Sequence, residues 1–441
     1  MKRRLLAILM LVVLTFSLFT ACGEEKKPEP TAPANGVYTI TLAHDLEGAP
    51  LEVLKQYLGL FSETFPHLAV ELVSAAEVAE PNVLFCTPDH AAQLAAEKKL
   101  VNLLEMIESE FLMSTASGDL TPLGIDETDL NDIFDFYYEE GFVGKELYSM
   151  PVAKTAQILY FNQTFFEEND LDSPLSWERI EPLLAQLKEM DPDSIPLCIE
   201  DPADFFITMC AQNGGDYTSS KGDIQFNNKI NRAYMEKLNE WYQKGYITTR
   251  TIMGRDSAGA MLATDVRHYM ATGSTQYATM QQITGDTESY PFDLGMFPFP
   301  QLGYENQKTL ARGPGLSVFK NSDEEILYGS WMLARFLSTN TEFQSKFAQA
   351  AGMLPVLVSA ELEESYSSYL DQANGADNVA ALAALNSMEQ QHALFTAPAF
   401  DGAGKAYEQV GLLLDKCLTA TGDNISDQIE DAFKEAVKNC K

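Results

Sequence analysis

Residues 144–162, GKELYSMPVAKTAQILYFN, constrain the fold of this chain more than any other stretch. A turn at Gly144-Lys145 leads through Leu147-Tyr148-Ser149-Met150-Pro151 into a segment whose only charge is Lys154, ending in Ile158-Leu159-Tyr160-Phe161. A β-branched and aromatic run bounded by Pro and Asn reads as a strand buried on both faces, which places it inside an α/β sheet. Asn162 is positioned to cap a helix that starts at Gln163.

The rest of the chain supplies the helices such a sheet needs. Thr39-Ile40-Thr41-Leu42 reads as a strand and 44–48 as the loop after it. Leu51, Leu54, Leu58, Phe61 and Phe65 then form one helical face that stops before Pro66. Leu68, Val70 and Leu72 alternate as a second strand. Asn82-Val83-Leu84-Phe85-Cys86 is a third, with Pro88-Asp89 opening the next helix. Strands and helices alternating at this interval imply crossover units and a largely parallel sheet. Farther on, Ser176 caps a helix carrying Trp177, Ile180, Leu184 and Leu187, and 195–199 is a short strand. Another helix carries Ile230, Tyr234, Leu238 and Trp241 and ends at Gly245. Strand ends are expected around 269–277 and 294–297, and Ser322 with Glu325 fits a capping box. No internal repeat is present.

The N-terminus fixes the compartment. Lys2, Arg3 and Arg4 precede a short apolar run and the small residues before Cys22, the pattern of a secretory signal and not of a membrane span. The cysteine resembles that of a bacterial lipobox, with Phe19 where a leucine is usual. That resemblance makes 1–21 a lipoprotein signal peptide and Cys22 the lipid-bearing residue of a protein anchored at the outer face of the cytoplasmic membrane. Residues 22–36, rich in Pro and Ala, read as a flexible tether. Residues 22–441 are too many for one core of typical size, so two lobes are expected. Losing the signal moves the net charge from −34 to −37, because the segment holds three basic residues and no acidic one. Such a charge argues against nucleic acid and against adhesion to anionic lipid. Five further cysteines (Cys86, Cys198, Cys210, Cys417, Cys440) show no metal spacing. They are read as buried thiols, with Cys198/Cys210 and Cys417/Cys440 as the open pairing alternatives.

The motifs of hydrolases, zinc proteases and phosphate loops are missing, and the histidines have no ligand spacing. Asp126, Asp129, Asp132 and Asp135 lack the glycine and closing glutamate of a calcium loop and read as an exposed helix face. The sequence therefore points to no enzyme, no metal and no cofactor.

The same opening stretch, followed by SPLSWERI, resembles the extracellular solute-binding proteins of bacterial ABC transporters, in the sugar-binding group that includes maltose-binding protein. PNVLFCTPDHAAQLAAEKKLVNLLEMI, NGGDY, EKLNEWYQKGYI, HYMATGSTQY, PFDLGMFPFP, ARGPGLSVFKNS, SWMLARFLST and AAGMLPV follow in the family's order. The resemblance implies a two-lobed periplasmic-binding-protein-like fold of type II, each lobe a mostly parallel sheet flanked by helices. Crossings between lobes are expected near 152–155, 297–299 and 320–322. The first lobe would comprise 37–152 and 299–322, the second 153–298 and 323–441. It further implies a monomer that captures a small molecule, a mono- or oligosaccharide, and passes it to permease subunits.

Carried over residue by residue, the resemblance places His44, Asp45 and Glu47 after the first strand and Asp89 and His90, beside Cys86, after the third. It places Thr155 at the first crossing, where maltose-binding relatives have a glutamate. Asp204, Ser274, Gln276, Tyr277 and Arg312 complete the expected ligand-binding set. Trp177, Trp241 and Trp331 match scaffold positions, so stacking on a sugar would fall to Tyr277, Tyr217, Phe395 or Phe400. The other readings are a ligand-sensing or adhesive surface lipoprotein and a surface glycoside hydrolase.

Overall fold

The computed structural model describes residues 36–172, 176–219, 221–255, 257–258, 262, 268–276, 292–303, 305–373 and 378–440. Two mixed sheets, each covered by helices, make a two-lobed α/β protein.

The first sheet has the order β2-β1-β3-β11-β4, built from β1 (Tyr38–His44), β2 (Leu68–Ser74), β3 (Val83–Cys86), β4 (Met150–Pro151) and β11 (Gly315–Val318). Helix α1 (Gly48–Thr64) buries Leu54, Tyr57, Leu58 and Phe61 against it, and α2 (Pro88–Ala96) follows β3. The stripe read from the sequence is therefore the one that packs. In the second sheet β5 (Ala153–Asn162) is central. Beside it lie β6 (Leu197–Ile199), β7 (Ile247–Thr249), β8 (Met270–Ser274), β9 (Leu294–Pro298) and β10 (Thr309–Arg312). The short strands β12 (Leu354–Pro355) and β13 (Leu394–Phe395) complete it. β5 is buried along nearly its whole length, as its apolar run requires.

Parallel pairing occurs in β2-β1-β3, in β7-β6-β8 and between β10 and β13. β11 runs antiparallel to β3, and β5 antiparallel to β8, β9, β10 and β12. The cause is the crossing itself. Parallel strands point their C-terminal ends at the cleft, whereas a strand arriving from the other lobe enters at that end and runs the opposite way.

The first change of sheet falls at Val152, between β4 and β5. The second falls at Gly313-Pro314, not at 297–299. β10 still pairs with β5 through Arg312↔Thr155, and β11 takes up the first sheet through Gly315↔Pro151. Phe299 stays in the second core because its ring packs on Trp177 and Phe205. After β11, helices α6 (Glu324–Thr339) and α7 (Thr341–Ala351) pack on β1, β11 and α1. The chain re-enters the second sheet only at β12, where Leu354 pairs with Lys154, and not at 320–322.

Local signals were mostly met. Asn162 Oδ1 accepts from the Phe165 amide at 2.9 Å and caps the helix after β5. The cap of α6 is Asp323, which accepts from Glu325 and Ile326, in place of the expected Ser322. Ser176 precedes α3 (Trp177–Met190) without a side-chain cap bond. Asp126 caps its own short helix and Asp132 holds the Ser359 amide at 2.9 Å. Among the described residues Cys86, Cys210, Cys417 and Cys440 are free thiols, and no helix is long and apolar enough to cross a membrane.

Candidate functional site

Three local devices bring charge to the cleft. β3 ends at Cys86, and Pro88 at the start of α2 leaves Asp89 in the first helical turn, where the helix dipole favours a carboxylate. Across the cleft, Asp201 caps α4 (Pro202–Asn213) by accepting from the Ala203 and Asp204 amides, both at 2.9 Å, so Asp204 also lies in a first turn. Between them Arg312 ends β10, its carbonyl accepting from Thr155 Oγ1 at 3.1 Å.

The guanidinium of Arg312 joins the two carboxylates. Nη2 lies 2.9 Å from Asp89 Oδ2 and Nη1 3.6 Å from Asp204 Oδ1. Its carbon sits 3.7 Å from the ring centre of Tyr407, on α9 (Ala403–Thr419), and Tyr407 Oη donates to Asp204 Oδ1 at 2.8 Å. Burial works against the charge of Arg312, but Asp204, Tyr407, Asp89 and Asp201 outweigh it and keep the group cationic. Burial pushes the Asp204 carboxyl upward, with Asp201 adding to it and Arg312 and Tyr407 opposing.

Beneath this cluster Lys154 and Glu140 form an ion pair, with Lys154 fully buried and Glu140 nearly so. Lys154 Nζ also donates to the Gly313 carbonyl at 3.2 Å, which binds the first crossing to the second. Burial raises the Glu140 carboxyl, and Lys154 works against that. Among these groups, with Tyr217, lies a cavity of about 20 Å³, room for roughly one water. Thr87 also borders a larger depression of about 480 Å³ in the first lobe, lined by Asp45, His90, Cys86 and Phe319 among others.

Of the expected residues, the structure brings Asp89, Asp204 and Arg312 together, with Thr155 holding the Arg312 backbone. Asp45 and His90 line the larger depression. His44 turns its Nδ1 to the Leu46 amide at 3.0 Å, and burial lowers its pKa. Glu47 is exposed at the start of α1. Ser274 and Gln276 lie at the end of β8, outside both cavities, where the Ser274 carbonyl accepts from Tyr160 Oη at 2.7 Å. Tyr277 and Cys22 lie outside the described residues. Tyr217 lines the small cavity, whereas Phe400 packs over Gly222 and Phe395 against the second core. Tyr407 and Glu140 were not foreseen. Lys154 offered a signal, since a lone charge in an apolar run demands a buried partner. Tyr407 offered none, because one aromatic on an amphipathic helix looks like packing.

Two α/β lobes joined by crossing strands, with facing polar side chains at the seam, define a ligand-binding architecture. The bacterial extracellular solute-binding protein family matches residues 67–374, and this chain belongs to it. No curated protein matches the chain in sequence. Among solved structures, a cyclic α-maltosyl-1,6-maltose binding protein from Arthrobacter globiformis is similar with a TM-score of 0.70 at 16% identity, over 92% of this chain and 100% of that one. UgpB from Mycobacterium tuberculosis, in complex with glycerophosphocholine, is similar with a TM-score of 0.68 at 19% identity, over 91% and 98%. The ABC substrate-binding protein Lmo0181 from Listeria monocytogenes, in complex with cycloalternan, gives 0.68 at 16%, over 91% and 97%. Among the described residues no group of His, Cys, Asp and Glu is arranged to hold a metal.

Proposed function

We propose that this protein is the lipid-anchored binding component of an ABC transporter, capturing a small carbohydrate between its lobes and delivering it to the permease. The observation that carries the reading is the Arg312 cluster, in which groups from both lobes and a crossing strand converge on one point. Carboxyl groups supply acceptors for hydroxyls, and Tyr407 and Tyr217 supply flat faces for a sugar ring. Structurally similar proteins include one named for cyclic α-maltosyl-1,6-maltose and others in complex with cycloalternan or maltose, which favours the same class here. The ligand-binding set of this reading is Asp45, Asp89, His90, Asp204, Tyr217 and Tyr407, gathered around Arg312, with Cys22 as the anchor.

The proposed first lobe comprises 37–152 and 314–351, the second 153–313 and 352–440. This division differs from the sequence expectation because β10 pairs in the second sheet and α6 and α7 pack on the first. A thermal-shift screen over neutral, acidic and amino mono- and oligosaccharides tests the function. A rise in melting temperature with a saccharide supports it. A flat response to saccharides alongside a shift with amino acids or peptides removes the carbohydrate assignment.

A further inference from the structure

The guanidinium of Arg312 fills a place furnished for a cation. Asp89 approaches it from one lobe at 2.9 Å and Asp204 from the other at 3.6 Å, and the Tyr407 ring lies 3.7 Å from its carbon. Asp201 adds a third carboxylate acting through space. The adjoining charges, Lys154 and Glu140, neutralise each other. Three carboxyl groups thus surround one positive charge, and that charge arrives on a long side chain from a crossing strand.

The cavity beside the guanidinium has room for about one water, so a ligand group that reaches Asp89, Asp204 and the Tyr407 ring together must take the place of the guanidinium. Its withdrawal leaves Asp89 and Asp204 without their shared cation. A neutral ligand would not replace the lost ion pairs, and an anionic one would be opposed by the carboxyl groups. A ligand with its own cation restores the balance and gains the aromatic face.

We infer that the cleft takes a saccharide bearing a protonated amine, and that Arg312 occupies the place of that amine when no ligand is bound. The inference rests on reading the cleft as a carbohydrate site, and it narrows the class to amino sugars and their oligomers.

Calorimetric titration with three β-1,4-linked disaccharides separates the possibilities: diglucosamine, its N,N′-diacetyl form and cellobiose, which differ only at the C2 substituent. Agmatine serves as a cation without a sugar. Diglucosamine is expected to bind at least about tenfold tighter than either neutral disaccharide, with the advantage shrinking at high salt. Arg312→Gln should tighten diglucosamine binding by removing the internal competitor, and Asp89→Asn should weaken it. Neutral disaccharides binding as well as the amine overturns the inference while leaving the carbohydrate reading intact. Binding of agmatine with no saccharide binding overturns the carbohydrate reading and the inference together. Weaker diglucosamine binding in a folded Arg312→Gln protein, or no binding of any probe to wild type and Arg312→Gln alike, also overturns the inference. If Arg312→Gln fails to fold, the wild-type ranking and its salt dependence decide.

Discussion

Arg312 Nη2 lies 2.9 Å from Asp89 Oδ2, so the last residue of a strand in the second sheet is tied to the first turn of a helix beside the first sheet. The tie sits next to Gly313-Pro314, where the chain changes sheets, and therefore at the pivot of the lobes and not at their rims. An exposed pair of this kind contributes about 0–1 kcal/mol. Here the two side chains are only 23% and 20% exposed and Tyr407 backs the guanidinium, yet neither lobe's core depends on the pair. Its main effect is on which arrangement of the lobes is populated.

The Lys154–Glu140 pair is a different case, being almost wholly buried. Lys154→Met leaves a carboxylate buried without a partner and is expected to cost about 3–5 kcal/mol. Adding Glu140→Leu should recover most of that loss. Urea unfolding midpoints of the single and double variants check both halves, and a double variant no better than the single contradicts the pairing.

Gly313 is required by close approach and not by its torsion angles. A Cβ there would stand 2.1 Å from the Ala153 carbonyl oxygen and 2.9 Å from Lys154 Cα. Both are backbone atoms of the first crossing and cannot turn aside. Gly313→Ala should therefore force the crossings apart and cost about 1–3 kcal/mol, read from the denaturation midpoint. A Gly313→Ala protein as stable as wild type would show that the crossings are not so tightly apposed.

Burial pushes the Glu361 carboxyl up to about 7, although the Gln391 amide donates to it at 2.9 Å. The folded chain thus keeps this proton at pH values where the unfolded chain has lost it. That contribution is fully present below the ordinary carboxylate range and is lost as pH rises through about 7. Glu361→Gln should raise stability by about 1 kcal/mol at pH 8 and change little at pH 5, after allowing for partial exposure. Melting curves at the two pH values test the sign, and an equal gain at both would contradict it.

Thiol titration provides an independent check of the interior. Cys86, Cys210 and Cys417 are buried and free, Cys198 is buried, and Cys440 is partly exposed. Burial raises the thiols of Cys86 and Cys417 to about 12, far from the reactive thiolate. Of these thiols a disulfide-exchange reagent should label Cys440 at most in the native protein, and Cys86, Cys210 and Cys417 as well once it is unfolded. A native protein with no thiol to titrate after denaturation would mean that the cysteines pair.

The strands and helix stripes were legible because they follow periodicity. β5 announced itself by an apolar run, and α1 by Leu54, Leu58 and Phe61. The later crossings were not legible. Phe297-Pro298-Phe299 and Lys320-Asn321-Ser322 look like connections, but which sheet a short strand joins is decided by partners far away in sequence. Thr155 for Arg312 and Pro151 for Gly315 are examples. The site divides in the same way. Asp89 and Asp204 lie in first helical turns after strands, which sequence can mark. Tyr407 enters through a helix near the C-terminus, and only the packing of α9 against α4 brings it to Asp204.

The most direct test of the central claim, that ligand is held where Arg312 meets Tyr407, is calorimetric titration of wild type and Tyr407→Ala with the saccharide giving the largest thermal shift. Removing the ring should weaken binding by about tenfold, roughly 1.4 kcal/mol, while circular dichroism stays unchanged. Equal affinity in the two proteins would place the ligand elsewhere.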